Sequence, residues 1–391
     1  MSLFWKYKKF TVLFFCLSVL GTVNAQQVTV DGLNYYLYPD KHKAVIDNDN
    51  TWSGELDIPS EISYEGNDYV VKGMVYNAFV NCTELTKVKI PKTITYIANY
   101  NFGNGNNAIT PYLLNPFIGC TALEAVEVDK DNTFMTSVEG VLYSKDSTML
   151  YCYPAGIKSE TFSVPQGVTW VGIYAFASNE YIVSVELPAS VKTLYGAFRD
   201  CKKLESIMFP DNLTTLDAEM FQGCTSLKSI EIPFGIKTMD YCVFRNCTSL
   251  KSISLPESLN SIGTSAFENC VSLRELDMPV STTRIGASAF FGCKFSKLII
   301  RGVLDERCLD EHLFEGMDTS TIIYTQASEI EKFQKIYKGK VYPLLPSDEP
   351  TGIKEYDRPS PATETFDLLG RSMKDKSYKG VYIQKGKKVV K

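Results

Sequence analysis

The chain has 391 residues, 45% of them apolar and 22% charged, with a formal net charge of −5. That length exceeds a usual single domain, so several modules or one elongated array is expected. The mild acidic excess gives no support for a nucleic-acid partner, which normally needs a concentrated basic face.

Residues 1–25 have the layout of an export signal peptide. Lys6, Lys8 and Lys9 precede the mainly apolar stretch Phe10 to Leu20, and Val23-Asn24-Ala25 offers a cleavage site before Gln26. The apolar run is shorter than the roughly 20 residues needed to span a bilayer. Cys16 lacks the small residues that precede a lipid-modified cysteine. Cleavage after Ala25 would remove three lysines and no acids, taking the net charge from −5 to −8.

Residues 26–54 read as an N-terminal β cap, with Val28 to Tyr38 and Lys43 to Ile46 flanking a Pro39-Asp40-Lys41 turn. Its expected role is to cover the apolar end of the first coil.

Residues 55–325 repeat. From Phe176, phenylalanines recur at Phe198, Phe221, Phe244, Phe267 and Phe290, at spacings of 22, 23, 23, 23 and 23. Cys201, Cys224, Cys247, Cys270 and Cys293 follow three residues later, and Leu204, Leu227, Leu250 and Leu273 three later again. Each unit then runs apolar-x-apolar-Pro, as in Ile230-Glu231-Ile232-Pro233, and earlier units at Phe79 and Phe117 keep the order less regularly. A fixed period in this range marks a leucine-rich-repeat solenoid, mostly β, with short parallel strands joined by irregular or 3-10 turns. One coil cannot bury its apolar side chains alone, whereas stacked coils bury them in a continuous column. The period-two segment is a short strand, with Ile230 and Ile232 inward and Ser229 and Glu231 outward. Residues 98–116 and 129–162 interrupt the spacing.

The string C-x-x-L-x-x-I-x-I-P, with Ala-Phe before the cysteine at Ala78-Phe79, Ala175-Phe176, Ala266-Phe267 and Ala289-Phe290, resembles the BspA-type leucine-rich repeat. The stretch from Gly140-Val141-Leu142-Tyr143 to Leu150-Tyr151-Cys152-Tyr153-Pro154 is similar to a variant coil of that family. The resemblance implies an extracellular protein of the kind common in Bacteroidales, some members of which act in adhesion to host or microbial surfaces.

Residues 326–342 form the expected C-terminal cap. Ser328-Glu329-Ile330-Glu331 reads as a capping box that starts a helix with Ile330, Phe333 and Tyr337 on one face, ending at Gly339. Residues 343–362 are a Pro-rich linker. Residues 363–391 hold two or three short strands and resemble the C-terminal sorting tails of type IX secretion substrates; from Arg371 onward they carry eight Lys or Arg against one Asp.

Little in the chain points to catalysis. His42 and His312 are its two histidines, far apart in sequence, which weighs against a His-based triad or metal centre. No C-x-x-C occurs, and neither Asp129-Lys130-Asp131-Asn132 nor Asp47-Asn48-Asp49-Asn50 completes a calcium loop. No cofactor or metal is expected. Equivalent cysteines of adjacent coils should lie about 4.7–4.9 Å apart, whereas disulfides need Cβ atoms about 3.8 Å apart. A ladder of buried thiols is therefore expected, with Asn179 in one cysteine position. Cys152, Cys242 and Cys308 lie off that ladder and are the better candidates for a bridge.

The informative surface is the outward column of the strands: Lys89, Glu127, Glu186, Met208, Glu231, Ser254, Asp277 and Ile299, beside Ser184, Ser206, Ser229 and Ser252. The expected binding residues are Glu127, Glu186, Met208, Glu231, Ser254 and Asp277, and the expected partner is an extracellular protein or glycan. Association with an outer membrane or cell surface is consistent with export. The alternative is carbohydrate capture for nutrient uptake, which requires exposed aromatic residues grouped on one face.

Overall fold

The structure, a computed structural model, describes residues 25–49, 51–98, 115–210, 212–309 and 312–344, with the backbone of four strands between residues 365 and 390. The export segment lies outside the described residues except for Ala25, as does the Pro-rich segment from residue 345. The chain divides into two compact units, Met1–Tyr342 and Pro343–Lys391.

The first unit is a solenoid whose coils share three rows of hydrogen bonds. A representative coil runs from a first strand, Ser229–Glu231, through a Pro233 turn to a second strand, Thr238–Met239. A tighter turn then brings in Phe244, Cys247 and Leu250 before the next first strand, Ser252–Ser254. First strands pair in parallel, Ser229 with Ser252, Ile230 with Ile253 and Glu231 with Ser254. Second strands do likewise, with Thr215, Thr238, Ser261 and Arg284 aligned in one register.

The third row lies in the turn around the phenylalanine. Two residues before it, and again one before the cysteine, the backbone is left-handed: φ is 58° at Glu219, 77° at Gly223, 56° at Cys242 and 61° at Asn246. Alternating handedness aims successive N–H groups along the stack. Glu219, Phe221 and Gly223 donate to the carbonyls of Tyr241, Val243 and Arg245 in the next coil, at 3.0, 2.9 and 2.8 Å. This explains a column that the repeat leaves unremarked. Asn81, Gly119, Ser178, Asp200, Gly223, Asn246, Asn269 and Gly292 precede a column cysteine or its Asn179 substitute, and all adopt positive φ. Glycine and short polar side chains are those that tolerate this region. At Gly223 a Cβ would also meet the Asp200 carboxylate.

Inside the coils the phenylalanines stack. Ring centroids from Phe176 to Phe290 are 5.2, 5.8, 5.5, 5.6 and 6.3 Å apart in succession, with near-parallel planes. The thiols form the expected ladder, and each has a defined partner. Cys224, Cys247 and Cys270 donate to the carbonyls of Phe198, Phe221 and Phe244, each at 3.1 Å, and Cys82 closes the row on Asp49 at 2.9 Å. Asn179 fills its cysteine position by donating to Pro154 and Ile157 carbonyls while accepting from the Tyr181 and Ile182 amides. Asn132, in the stretch compared above with a calcium loop, is a second such plug: it donates to the Pro91 and Ile94 carbonyls.

No bridge forms at Cys152, Cys242 or Cys308, the candidates the sequence offered, and Cys152 is enclosed by the core. It is buried in the N-terminal part of the core beside Cys120, and so belongs to the thiol column's surroundings. All ten described cysteines are free; Cys242 and Cys308 are half-exposed and the others buried.

The interruption at 129–162 becomes an antiparallel ribbon, Met135–Val138, Val141–Ser144 and Met149–Cys152, whose last strand pairs in parallel with Trp170–Val171. Met135, Leu142, Tyr151 and Cys152 belong to one core cluster, while Val141, Tyr143, Leu150 and Tyr153 belong to the other. The ribbon is thus buried on both faces and joins the two cores.

Both ends are covered. The N-terminal cap contains Gln26–Val30, Leu33–Tyr38 and Lys43–Ile46. Asp31-Gly32 breaks the first run into a hairpin, a turn dipeptide legible in the sequence. At the other end the helix Ile330–Ile336 buries Phe333 against Phe314, with ring centroids 5.6 Å apart. The expected capping box does not form. Glu329 is the N-cap residue, without a side-chain capping bond, because a Gln326–Glu329 backbone turn already leads into the helix. The helix also ends before Gly339. Tyr337 turns extended (φ −121°, ψ 129°), and its buried hydroxyl donates to the Asp318 and Thr321 carbonyls at 2.9 and 2.8 Å.

In the second unit, strands Ser372–Met373, Thr365–Asp367, Val381–Gln384 and Lys387–Val390 lie in that order in one antiparallel sheet.

Four outcomes follow from the column. Of the ten described cysteines, native protein should expose only Cys242 and Cys308 to a thiol reagent near neutral pH, with all ten reacting after denaturation. Burial pushes the Cys293 thiol from its usual value near 9 up to about 12. The neutral thiol therefore favours the fold below pH 9, and that contribution should fade between pH 9 and about 12, read as falling urea midpoints. Replacing Phe244 by alanine should cost about 3–5 kcal/mol by chemical denaturation, and Gly223→Ala about 1–2 kcal/mol.

Candidate functional site

The first-strand row presents its central residues outward because strand side chains alternate faces. Register places Asp57, Lys89 and Glu127 side by side, then Ser163, Glu186 and Met208, then Glu231 and Ser254, then Asp277, Ile299 and Tyr324. Glu127, Glu186, Met208, Glu231, Ser254 and Asp277 are all exposed, as expected of a contact face. Ile299 is not. It is 8% exposed, set between the Asp277 and Tyr324 strands, with Arg301 on its own face of the strand.

The carboxylates of this row are unevenly engaged. Lys87 reaches Glu127 at 2.7 Å, and Arg301 binds Asp277 through two bonds of 2.7 Å. Ser163 donates to Glu186 at 3.0 Å. Ion-paired acids stand at the two ends of the column, and Glu186, Met208, Glu231 and Ser254 lie along its middle with the serines beside them.

Two apolar side chains stand out in that middle stretch. Met208 is 57% exposed and Phe234 is 81% exposed. Phe234 follows Pro233 at the end of the Glu231 strand, where the sequences of the coils before and after have Asp211 and Glu257. It was not among the expected binding residues. Its signal was available as the one aromatic residue following a strand-end proline, where other coils have Lys92, Gln166, Ala189, Glu257 or Val280.

The two histidines are held apart, His42 against the Asp68 carbonyl in the N-terminal cap and His312 against Glu315 in the last coil. Asp129 and Asp49 use their carboxylates in local turns, accepting from the Asp131 and Thr51 amides. Among the described residues no group of three His, Cys, Asp or Glu side chains could hold a metal ion.

Comparison with known proteins decides the family. The profile of the BspA type Leucine rich repeat region matches residues 69–135, 150–248, 171–297 and 237–335. The chain belongs to the BspA-type leucine-rich repeat family. No curated protein matches it. Among solved structures, a leucine-rich repeat protein from Bacteroides ovatus is similar at 21% identity, with a TM-score of 0.46 over 81% of this chain and 76% of that one. A leucine rich cell surface protein from Faecalibacterium prausnitzii is similar at 20% identity, with a TM-score of 0.38 over 69% and 95%. The pneumococcal vaccine antigen PcpA is similar at 17% identity, with a TM-score of 0.43 over 82% and 99%. The matching family model describes a repeat region and names no catalytic activity. Among the described residues no helix is long and apolar enough to cross a membrane.

In this BspA-type solenoid the buried positions of each coil are committed to the Phe, Cys and Leu columns, so variation is free only on the outside. The Asp277–Arg301 pair tests that freedom. The Asp277 side chain is 50% exposed and that of Arg301 13%, so the pair is screened by solvent on one side only and contributes about 1 kcal/mol. Asp277→Asn should therefore shift the urea midpoint only slightly and leave the circular dichroism spectrum unchanged.

Proposed function

We propose that this BspA-type protein is exported and presented at a bacterial surface, where it binds an extracellular protein through the middle of its first-strand row. The observation that carries this reading is the pair of exposed apolar side chains, Met208 and Phe234, set among carboxylates and serines. Buried apolar or aromatic anchors within a polar rim are what give protein interfaces their affinity. Glu186 and Glu231 supply that rim and favour a partner with a basic or amide-rich contact strip. The export-type N-terminus and the family support placement outside the cell. The tail at 363–391 is proposed as the segment that directs secretion or attachment. The domain limits proposed from the sequence, including the caps at 26–54 and 326–342, stand as the working division of the chain.

The test is a binding screen of the purified mature chain on extracellular-matrix proteins and glycans, followed by surface plasmon resonance. Phe234→Ala with Met208→Ala should weaken a protein ligand by about tenfold or more. Glu186→Ala, Glu231→Ala and Asp277→Ala together should weaken it further and reduce its salt dependence. Unchanged affinity in both sets would remove this face from the function. Turnover of a glycan or peptide in the screen would point to catalysis instead.

A further inference from the structure

A second surface lies on the left-handed turn row, away from the first strands. Three tyrosines meet there: Tyr174 and Tyr195 with ring centroids 6.1 Å apart, and Tyr195 and Tyr241 with centroids 6.2 Å apart. Tyr195 and Tyr241 occupy the same position in their coils, three residues before the phenylalanine. The coil between them carries the buried Ala218 at that position, which lets the two hydroxyls meet across it. Their planes stand at 73°, forming a corner, and Tyr241 is exposed.

Charged groups flank the corner in pairs. Arg199 binds Glu219 at 2.6 Å, and Arg245 binds Glu268 at 2.9 Å. Both glutamates are largely covered, with 16% and 15% of their side chains exposed, while the arginines reach solvent. The Tyr174 hydroxyl donates to Glu219 at 3.1 Å, and the Arg199 guanidinium lies over the Tyr174 ring at 5.6 Å. Tyr174, Glu219 and Cys242 hold left-handed backbone, with φ of 61°, 58° and 56°, where other coils have Gly196, Ser265 and Ser288. Bulky or charged residues in this conformation are costly, and such strain concentrates at functional positions.

We propose that the Tyr195–Tyr241 corner is a carbohydrate-binding site that takes a neutral oligosaccharide. Exposed tyrosine offers an apolar ring face for the C–H face of a pyranose, with a hydroxyl at its edge. Arg199, Glu219, Arg245 and Glu268 offer fixed donors and acceptors for sugar hydroxyls. Arg199 also meets Asp200 at 3.4 Å, and Asp240 accepts from the Tyr241 amide, so the acids outnumber the arginines and the site suits an uncharged polyol better than an anionic glycan. Pairing also holds these side chains in place before binding, reducing the ordering cost.

The test is native affinity electrophoresis of the full chain through gels containing soluble starch, galactomannan, xyloglucan or alginate, one polysaccharide per gel. Retardation by at least one neutral polysaccharide is expected, with Tyr241→Ala weakening it about tenfold. Tyr241→Phe should retain most of it, and Met208→Ala should behave as wild type. Arg245→Lys keeps the charge but loses the guanidinium geometry, and should weaken retardation without changing the thermal melt. Retardation by alginate alone, by no polysaccharide, or undiminished in a Tyr195→Ala/Tyr241→Ala variant that melts as wild type would each overturn the assignment. So would loss of retardation in Met208→Ala, which would move the sugar to the first-strand row.

Discussion

Each coil of this protein must offer its neighbour the same three rows of hydrogen bonds and the same stacked phenylalanine. A short coil has too little core to stand alone, so a mismatch at one interface weakens both coils that share it. The constraint sets the chemistry of nearly every buried position. Phenylalanine rings fill one column, thiols that donate to the preceding coil's phenylalanine carbonyl fill another, and leucines complete the interior. Cysteine suits its position because it is small, readily buried and able to donate a weak hydrogen bond. Asn179 and Asn132 serve the same kind of position with stronger bonds, each satisfying two carbonyls.

The same constraint accounts for the irregular parts. The ribbon at 135–152 does not continue the coil pattern, yet it alternates apolar residues so that both neighbouring cores find a face to pack on. The caps solve the complementary problem of an end with one neighbour only. A hairpin sheet covers the first coil, while Phe333 and Tyr337 cover the last.

Function is left to the outside, where the coil imposes only direction. Along the first strands that direction produces a row of carboxylates and serines, interrupted by Met208 and edged by Phe234. Along the left-handed turns it produces the tyrosine corner and its two arginine–glutamate pairs. Two surfaces of different chemistry thus stand on one scaffold.

Much of this was legible in the residues themselves. The phased Phe, Cys and Leu positions determined the solenoid, the inward and outward sides of Ile230 and Glu231, and the thiol ladder, because one periodic interior imposes one periodic sequence. The fit of Asn179 was also legible, since an amide side chain can bond the loop backbone in a column position. Tertiary structure decided what depends on neighbours outside the repeat. It buried Ile299 beside the Tyr324 strand, moved Cys152 into the core beside Cys120, and replaced the capping box at Ser328 by a backbone turn. It also paired Asp277 with Arg301, 24 residues away, and Tyr195 with Tyr241, 46 residues away. Sequence periodicity specifies which residues share a column, but which columns meet, and across which missing side chain, follows only from the stacked coils.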